Sequence, residues 1–203
     1  MPSASSPSKP LLVLATLNAA KAGELTALLA DVPYEIRMLA ELSPAGLPEE
    51  TGDSYRANAL LKARAAARQV GAWALADDSG IEVDALAGAP GVRSARFGGP
   101  GLDDARRCLL LLWALRDVPP EKRTARFRCV IALVDPAGRE HTAEGVVEGV
   151  IADAPRGRQG FGYDPLFVYP PLGRTFAELS SEEKARVDHR GRAVRAARRF
   201  LTG

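Results

Sequence analysis

Residues able to do chemistry fall into five groups along the 203-residue chain. Asp77-Asp78-Ser79-Gly80 follows the short apolar run Trp73-Ala74-Leu75-Ala76. Adjacent carboxylates at the end of a buried strand can hold Mg²⁺ and orient or deprotonate a water. The plain alternative is a polar β-turn, since Asp, Ser and Gly are turn residues. Upstream, Pro48-Glu49-Glu50-Thr51-Gly52 offers two more carboxylates, and Glu49 or Glu50 can complete a metal site. Asn58 and Lys62 lie four apart and share a helix face, from which Lys62 can meet a phosphate. Taken singly, each of these is an ordinary solvated side chain.

The remaining groups surround those acids in the chain. Thr16-Leu17-Asn18-Ala19-Ala20-Lys21 sits where a strand gives way to a helix. Free N–H groups and the positive helix end make such a junction an anion site. Lys21 falls in the first helical turn, where a cation is electrostatically unfavourable. A local rule broken there points to function. The alternative is a capped helix with a solvated lysine, because the Gly-rich Walker pattern is absent. Gly160-Phe161-Gly162-Tyr163-Asp164-Pro165 places two aromatics on a glycine-rich loop, able to stack on a base or to anchor the loop in the core. Lys184 and His189-Arg190 offer donors for a base carbonyl or a phosphate, or form a basic helix end.

The elements that must position these residues follow from apolar runs and caps. Residues 11–15 read as a strand buried on both faces. Asn18 caps a helix over 19–30, and 34–39 is a second strand. After a loop over 44–53, Asp53 or Ser54 caps an Ala-rich helix to about Val70, and 73–76 is a short strand. Residues 88–101 are thick with Gly and Pro and read as a structureless stretch. Asp103 or Asp104 caps a helix through Arg116, within which 108–115 is apolar nearly all round. Strands over 126–134 and 140–151 join in a hairpin at Asp135-Pro136-Ala137-Gly138. Ser180 or Ser181 caps a short helix, and Asp188 caps the last one, to about Leu201. The order predicts an α/β fold with a mixed sheet, as two lobes around a cleft.

Composition narrows the function classes. With 27 Lys+Arg against 25 Asp+Glu, the net charge is +2, and 46% of residues are hydrophobic. That excludes disorder as the main state and argues against a dedicated DNA or RNA binder, whose affinity rests on a basic surface. No apolar run is long enough to cross a membrane. Cys108 and Cys129 have no metal-ligand spacing and sit in apolar runs, as buried thiols in a reducing compartment do. Residues 1–10, rich in Ser and Pro, read as a disordered tail before a single two-lobed domain over 11–203, and the protein is expected in the cytoplasm.

Taken together and in order, the motifs resemble the non-standard purine nucleoside triphosphate pyrophosphatase family, the inosine triphosphate pyrophosphatases or XTP/dITP diphosphatases. The matching stretches span almost the whole folded chain: Thr16-x-Asn18-x-x-Lys21-x-x-Glu24, Glu49-Glu50-Thr51-Gly52, Asn58-Ala59-x-x-Lys62-Ala63, and Ala76 through Leu86 running on to Arg96. Ala125-Arg126-Phe127, Pro155-Arg156-Gly157, the 160–165 loop, Glu183-Lys184 and His189-Arg190-Gly191 complete them. The resemblance implies a mixed twisted sheet with flanking helices and a central nucleotide-binding cleft. It implies a homodimer that uses Mg²⁺ to hydrolyse ITP, dITP and XTP to the monophosphate and pyrophosphate, cleansing the nucleotide pool. Carried over, Thr16, Leu17, Asn18, Ala19, Ala20 and Lys21 bind phosphate, and Lys62 and Ser79 meet it too. Glu49 and Asp78 hold the metal, and Asp78 is the proton acceptor. Phe161, Gly162, Tyr163 and Asp164 hold the nucleotide, and Lys184, His189 and Arg190 belong to the base end.

Two positions depart from the pattern. Ala57 stands where the family usually has Glu before Asn-Ala, leaving Glu50 or Asp53 as substitutes. Asp188 stands where it usually has Ser, adding charge near the base end while still serving as a cap. A carboxylate on a metal is a weaker base, so Asp77 is a candidate to share the role of Asp78. The rival readings are a Maf-like nucleotide pyrophosphatase with another base preference, and a nucleic-acid-binding module using Phe161, Tyr163 and the Arg-rich last helix.

Overall fold

The computed structural model describes residues 9–202. The tail expected over 1–10 falls on residues 1–8, which lie outside the described residues, and on the two that follow them. From the N-terminal side run β1 (Leu11–Leu14), α1 (Ala19–Leu28), β2 (Glu35–Met38), α2 (Leu39–Leu42) and α3 (Tyr55–Val70). Next come β3 (Trp73–Val83), α4 (Asp104–Ala114), β4 (Thr124–Val134) and β5 (Glu140–Ile151). The chain closes with β6 (Phe167–Tyr169), β7 (Arg174–Thr175), α5 (Ser181–Val187) and α6 (His189–Ala197). All strands join one mixed sheet in the order β2-β1-β3-β4-β5-β6-β7. β1 pairs parallel with β2 and β3, and every later pairing is antiparallel.

Strand alternation splits the interior. Leu12, Leu14 and Leu75 face α1 and α6, packing with Leu25, Leu29, Ala193 and Val194. Val13, Ala15, Ala74 and Ala76 face the other way, onto Ala59, Ala63, Ala66 and Ala67 of α3. Small residues on both surfaces let α3 lie close to the sheet. A third core lies at the β5–β7 end, where Cys108, Leu111 and Leu115 meet Ile81, Val83 and a cluster of Phe127, Phe167 and Phe176. The sheet thus carries two lobes with different cores. Helix caps act as expected: Asn18, Ser54, Asp103, Ser180 and Asp188 each accept a backbone N–H from the first turn.

Three expectations need correction, and the apolar helix α4 adds an observation of its own. β3 does not end at Ala76 but continues through Asp77-Asp78-Ser79-Gly80, paired with β4 from Ala74–Val134 to Val83–Ala125. The ladder satisfies the backbone, and Lys21 and Arg190 reach Asp77 Oδ2 while Asn58 reaches Asp78 Oδ2, so residues that favour turns in isolation stay in a central strand. Residues 88–101 are not structureless: a 3-10 helix over Gly91–Arg96 packs on β3. Ser94 Oγ accepts from Ile81 N (2.9 Å) and donates to Gly91 O (2.6 Å). Gly80 permits this approach, because a Cβ there would lie 2.3 Å from Gly91 O. α4 is covered on one face only, leaving Leu109 and Trp113 59% and 63% exposed. α6 stops at Ala197 and passes into a 3-10 turn over Arg198–Phe200.

Candidate active site

A cavity of about 360 Å³ opens between the two lobes. Successive side chains of a strand point to opposite faces of a sheet, and this places the acid pair. Asp77 points toward α1 and α6 and is wholly buried. Lys21 Nζ lies 3.1 Å from its Oδ2, and Arg190 reaches the same oxygen with Nη2 (3.1 Å) and Nε (3.3 Å). Burial pushes this carboxyl up, but Lys21, Arg190 and Lys62 outweigh it and hold the group far below the usual carboxylate range. The unfavourable position of Lys21 in the helix is thereby explained, since it pairs with a buried acid.

Asp78 points the other way, toward α3 and the cavity. Its Oδ2 accepts from Asn58 Nδ2 (3.0 Å) and its Oδ1 from Ser79 N (2.9 Å). Burial raises its pKa, Lys62 lowers it and Glu50 raises it again, and the net direction is upward. Asn58 also accepts from Gly52 N (2.8 Å), which ties the acidic loop to β3. A Cβ on Gly52 would lie 2.7 Å from Asn58 Oδ1, so glycine is needed there. Lys62 donates to Asp77 O (2.7 Å) and pairs with Glu50. The two carboxylates of β3 therefore do not converge on one ion, as an acid pair at a strand end would.

The loop before α2's successor helix sorts its own acids. Glu50 lines the cavity, whereas Glu49 and Asp53 are exposed and outside its lining. Of the two substitutes for the carboxylate absent at Ala57, Glu50 is the one at the site. In the first segment, Thr16, Leu17, Asn18 and Lys21 line the cavity, while Ala19 and Ala20 do not. Ala20 instead faces a neighbouring groove.

At the other end, Phe161 N donates to Asp164 Oδ2 (3.0 Å), and Lys184 Nζ lies 2.6 Å from the same oxygen. Lys184 and Arg190 sit 5.0 and 5.5 Å from the Phe161 ring. The two aromatics differ in role. Tyr163 is buried and donates to Ser94 O (2.9 Å), so it anchors the loop, while half-buried Phe161 presents its ring to the cavity. His189 is buried and stacked on Phe127 at 4.6 Å. Burial first, then Arg190 and Lys184, push its pKa well down, so it is neutral, and its Nδ1 has no partner.

Glu24 was not singled out by sequence reasoning, although it closes the first motif. It pairs with Lys184 (2.8 Å) and with Arg190, linking α1 to the base-end cations. Ser79 Oγ accepts from Arg190 Nη2 (2.9 Å), so Ser79 joins the same network and lines the cavity. Asp188 is buried beside it and caps α6 by accepting from Gly191 N (2.7 Å). Burial raises its pKa to about 6 against the pull of Gly191 N–H, Lys184 and Arg190.

Two carboxylates, Asp78 and Glu50, thus face the cavity near enough for one to raise the pKa of the other. Among the described residues there is no cluster of three or more His, Cys, Asp or Glu arranged to hold a metal. Mg²⁺ does not require one, since it is held by one or two carboxylates together with substrate phosphates. The donor set fits that mode. In the last helix Arg192 donates to Val187 O and Val146 O, and Arg195 to Ala185 O and Arg186 O, so these side chains tie the helix to its neighbours. Among the described residues, no helix is long and apolar enough to cross a membrane.

Comparison with known proteins agrees with this geometry. The Ham1 family model matches residues 12–200. A dITP/XTP pyrophosphatase of Desulforamulus reducens is 52% identical over 190 residues, covering 94% of each chain. One from Thermus thermophilus is 50% identical over 91% of this chain and 88% of its own. The solved structure of a HAM1 protein from Coxiella burnetii superposes with a TM-score of 0.86 at 43% identity, covering 95% of this chain and 98% of that one. With the match running through every segment that lines the cavity, the chain belongs to the Ham1 family.

Proposed function

We propose that this protein hydrolyses the non-standard purine nucleoside triphosphates dITP, ITP and XTP to the monophosphate and pyrophosphate, and so clears them from the nucleotide pool. The observation that carries the reading is Asp78, the one acid of the β3 pair that faces the cavity, with Lys21, Lys62 and Glu50 also in the lining and the Phe161 ring at its far end. Relatives named dITP/XTP pyrophosphatases support it, at about half identity over nearly the full chain.

In this account Lys21, Lys62 and the N–H groups at the start of α1 orient the phosphates. Asp78 accepts the proton of the attacking water as oxygen bonds to the α-phosphorus and the bond to the bridging oxygen breaks, releasing pyrophosphate. Asp77 is unsuited to that step, because three cations stabilise its anion and no cavity surface reaches it. Asp78 and Glu50 would hold Mg²⁺, with Glu49 on the adjoining turn as the carboxylate named by family resemblance. When bound, the ion offsets phosphate charge and stabilises the charge that develops on the phosphoryl oxygens. At the base end, donors around Lys184, His189 and Arg190 suit a 6-keto purine, whereas adenine brings a donor of its own to that position.

A panel of nucleoside triphosphates, with pyrophosphate and orthophosphate measured separately, tests the reading. Pyrophosphate is expected from dITP, ITP and XTP, little from GTP and least from ATP, and none in excess chelator. Orthophosphate alone, or full turnover in chelator, overturns it. A homodimer and a cytoplasmic location belong to the same proposal, and sedimentation at working concentration tests the first.

A further inference from the structure

Five cations line the cavity: Lys21, Lys62, Arg107, Lys184 and Arg190. Four of them are already committed. Lys21 is paired with Asp77 at 3.1 Å, Lys62 with Glu50 and Asp77 O, Lys184 with Asp164 and Glu24, and Arg190 with Asp77 and Glu24. Arg107, on α4 and therefore on the opposite lobe, is different. Among the described residues its closest carboxylate oxygen is Asp104 Oδ1 at 3.8 Å, beyond hydrogen-bond reach. Its Nε is buried with no partner, while its side chain keeps 13% exposure at the cavity.

The position is a built one. Asp104 Oδ2 accepts from Gly162 N (2.8 Å) and Cys108 Sγ donates to Gly162 O (3.3 Å). Residues 104 and 108 lie one helical turn apart and hold both ends of the Gly162 residue. Arg107 lies between them on the same face, so the clamp that fixes the nucleotide loop also fixes the root of this side chain. Nε is buried without an acceptor and Asp104 reaches the guanidinium only as a 3.8 Å ion pair, a cost that acceptors supplied by a ligand to the remaining N–H groups would offset.

The ligand's chemistry follows from the charges. Against the five cations stand Asp78, Glu50, Asp104 and Asp164 in the lining, with Asp77 and Glu24 behind it. The wall carries no surplus of positive charge, yet the triphosphate of the functional reading above brings several negative ones. Planar bidentate donors suit phosphate oxygens. Resting on that reading, we propose that Arg107 is a further substrate-binding residue, donating to the polyphosphate tail from the α4 side of the cavity.

The test compares the full-length enzyme with Arg107→Gln and Arg107→Lys, using inorganic tripolyphosphate and inosine as separate competitors of dITP hydrolysis. Melting midpoints of all three proteins are taken alongside. In Arg107→Gln the inhibition constant for tripolyphosphate should rise about tenfold or more while that for inosine stays put. KM for dITP should rise more than kcat falls, and Arg107→Lys, which keeps the charge without the fork, should recover part of the loss. A shift for inosine without one for tripolyphosphate assigns Arg107 to the base end and overturns the proposal. Unchanged constants in folded variants overturn it too, and leave the function standing if wild type releases pyrophosphate. A wild-type enzyme that releases none overturns both.

Discussion

On the α1 and α6 side of β3, Asp77 is enclosed by Lys21 and Arg190 with no path to solvent. On the α3 side, Asp78 meets a neutral amide, a peptide N–H and the open cavity, with Glu50 as a like-charged neighbour. One peptide bond separates them, and the pleat of a strand sends them to environments of opposite character. The first is held as an anion and ties α1 and α6 to the sheet, so it belongs to the framework. The second keeps its basicity, because burial and Glu50 outweigh the pull of Lys62 and its carboxylate opens on the cavity, which suits it to a proton and a cation from outside. Two identical residues in sequence thus divide structure from chemistry, and the division can be attacked from either side.

The largest effect should come from Asp78→Asn, which keeps the volume and removes both the base and a metal oxygen. We expect kcat with dITP to fall at least about a hundredfold, measured as pyrophosphate release. Asp77→Asn should act on the fold first. Removing one member of a buried ion-pair network leaves Lys21 and Arg190 uncompensated and costs about 3–5 kcal/mol, read from equilibrium unfolding. Glu50→Gln should weaken Mg²⁺ activation about tenfold or more, while Glu49→Gln should change it little. The reverse result from magnesium titrations would return the metal to the residue that family resemblance names.

The smallest effect concerns the acid at the base end. Asp188 titrates near pH 6 in the folded chain, above its ordinary 3.8. Folding therefore takes up a proton between those values. The stabilising protonated form is complete at acid pH and is lost as pH rises through about 6. Asp188→Asn can still accept the Gly191 N–H and carries no charge. It should stabilise the protein at neutral pH by about 1–3 kcal/mol and flatten the dependence between about pH 4 and 6, as thermal melts across that range would show.

Sequence made the framework legible where the signal was local. Leu11–Leu14, the β4–β5 hairpin and the caps Asn18, Ser54, Asp103, Ser180 and Asp188 are all short-range patterns. It misread Asp77-Asp78-Ser79-Gly80, because turn propensity is intrinsic while the β4 ladder and the cations that keep the segment extended come from far along the chain. The motifs named most of the cavity, but the resemblance named Glu49 for the metal whereas Glu50 is the acid in the lining, since a loop has no fixed period to tell the two apart. Glu24 and Arg107 were missed as site residues for a related reason: each lies on a helix whose inward face is set by tertiary packing. α4, apolar in sequence almost all round, leaves Leu109 and Trp113 exposed because its own core covers one side only.

The division between the two acids is tested most directly by urea unfolding of Asp77→Asn and Asp78→Asn beside wild type at neutral pH. The account predicts that Asp78→Asn unfolds at or above the wild-type midpoint, since it removes a buried charge that the fold disfavours, while Asp77→Asn loses about 1 M or more. An Asp78→Asn midpoint that falls as far as that of Asp77→Asn, or an Asp77→Asn midpoint that does not move, would contradict it.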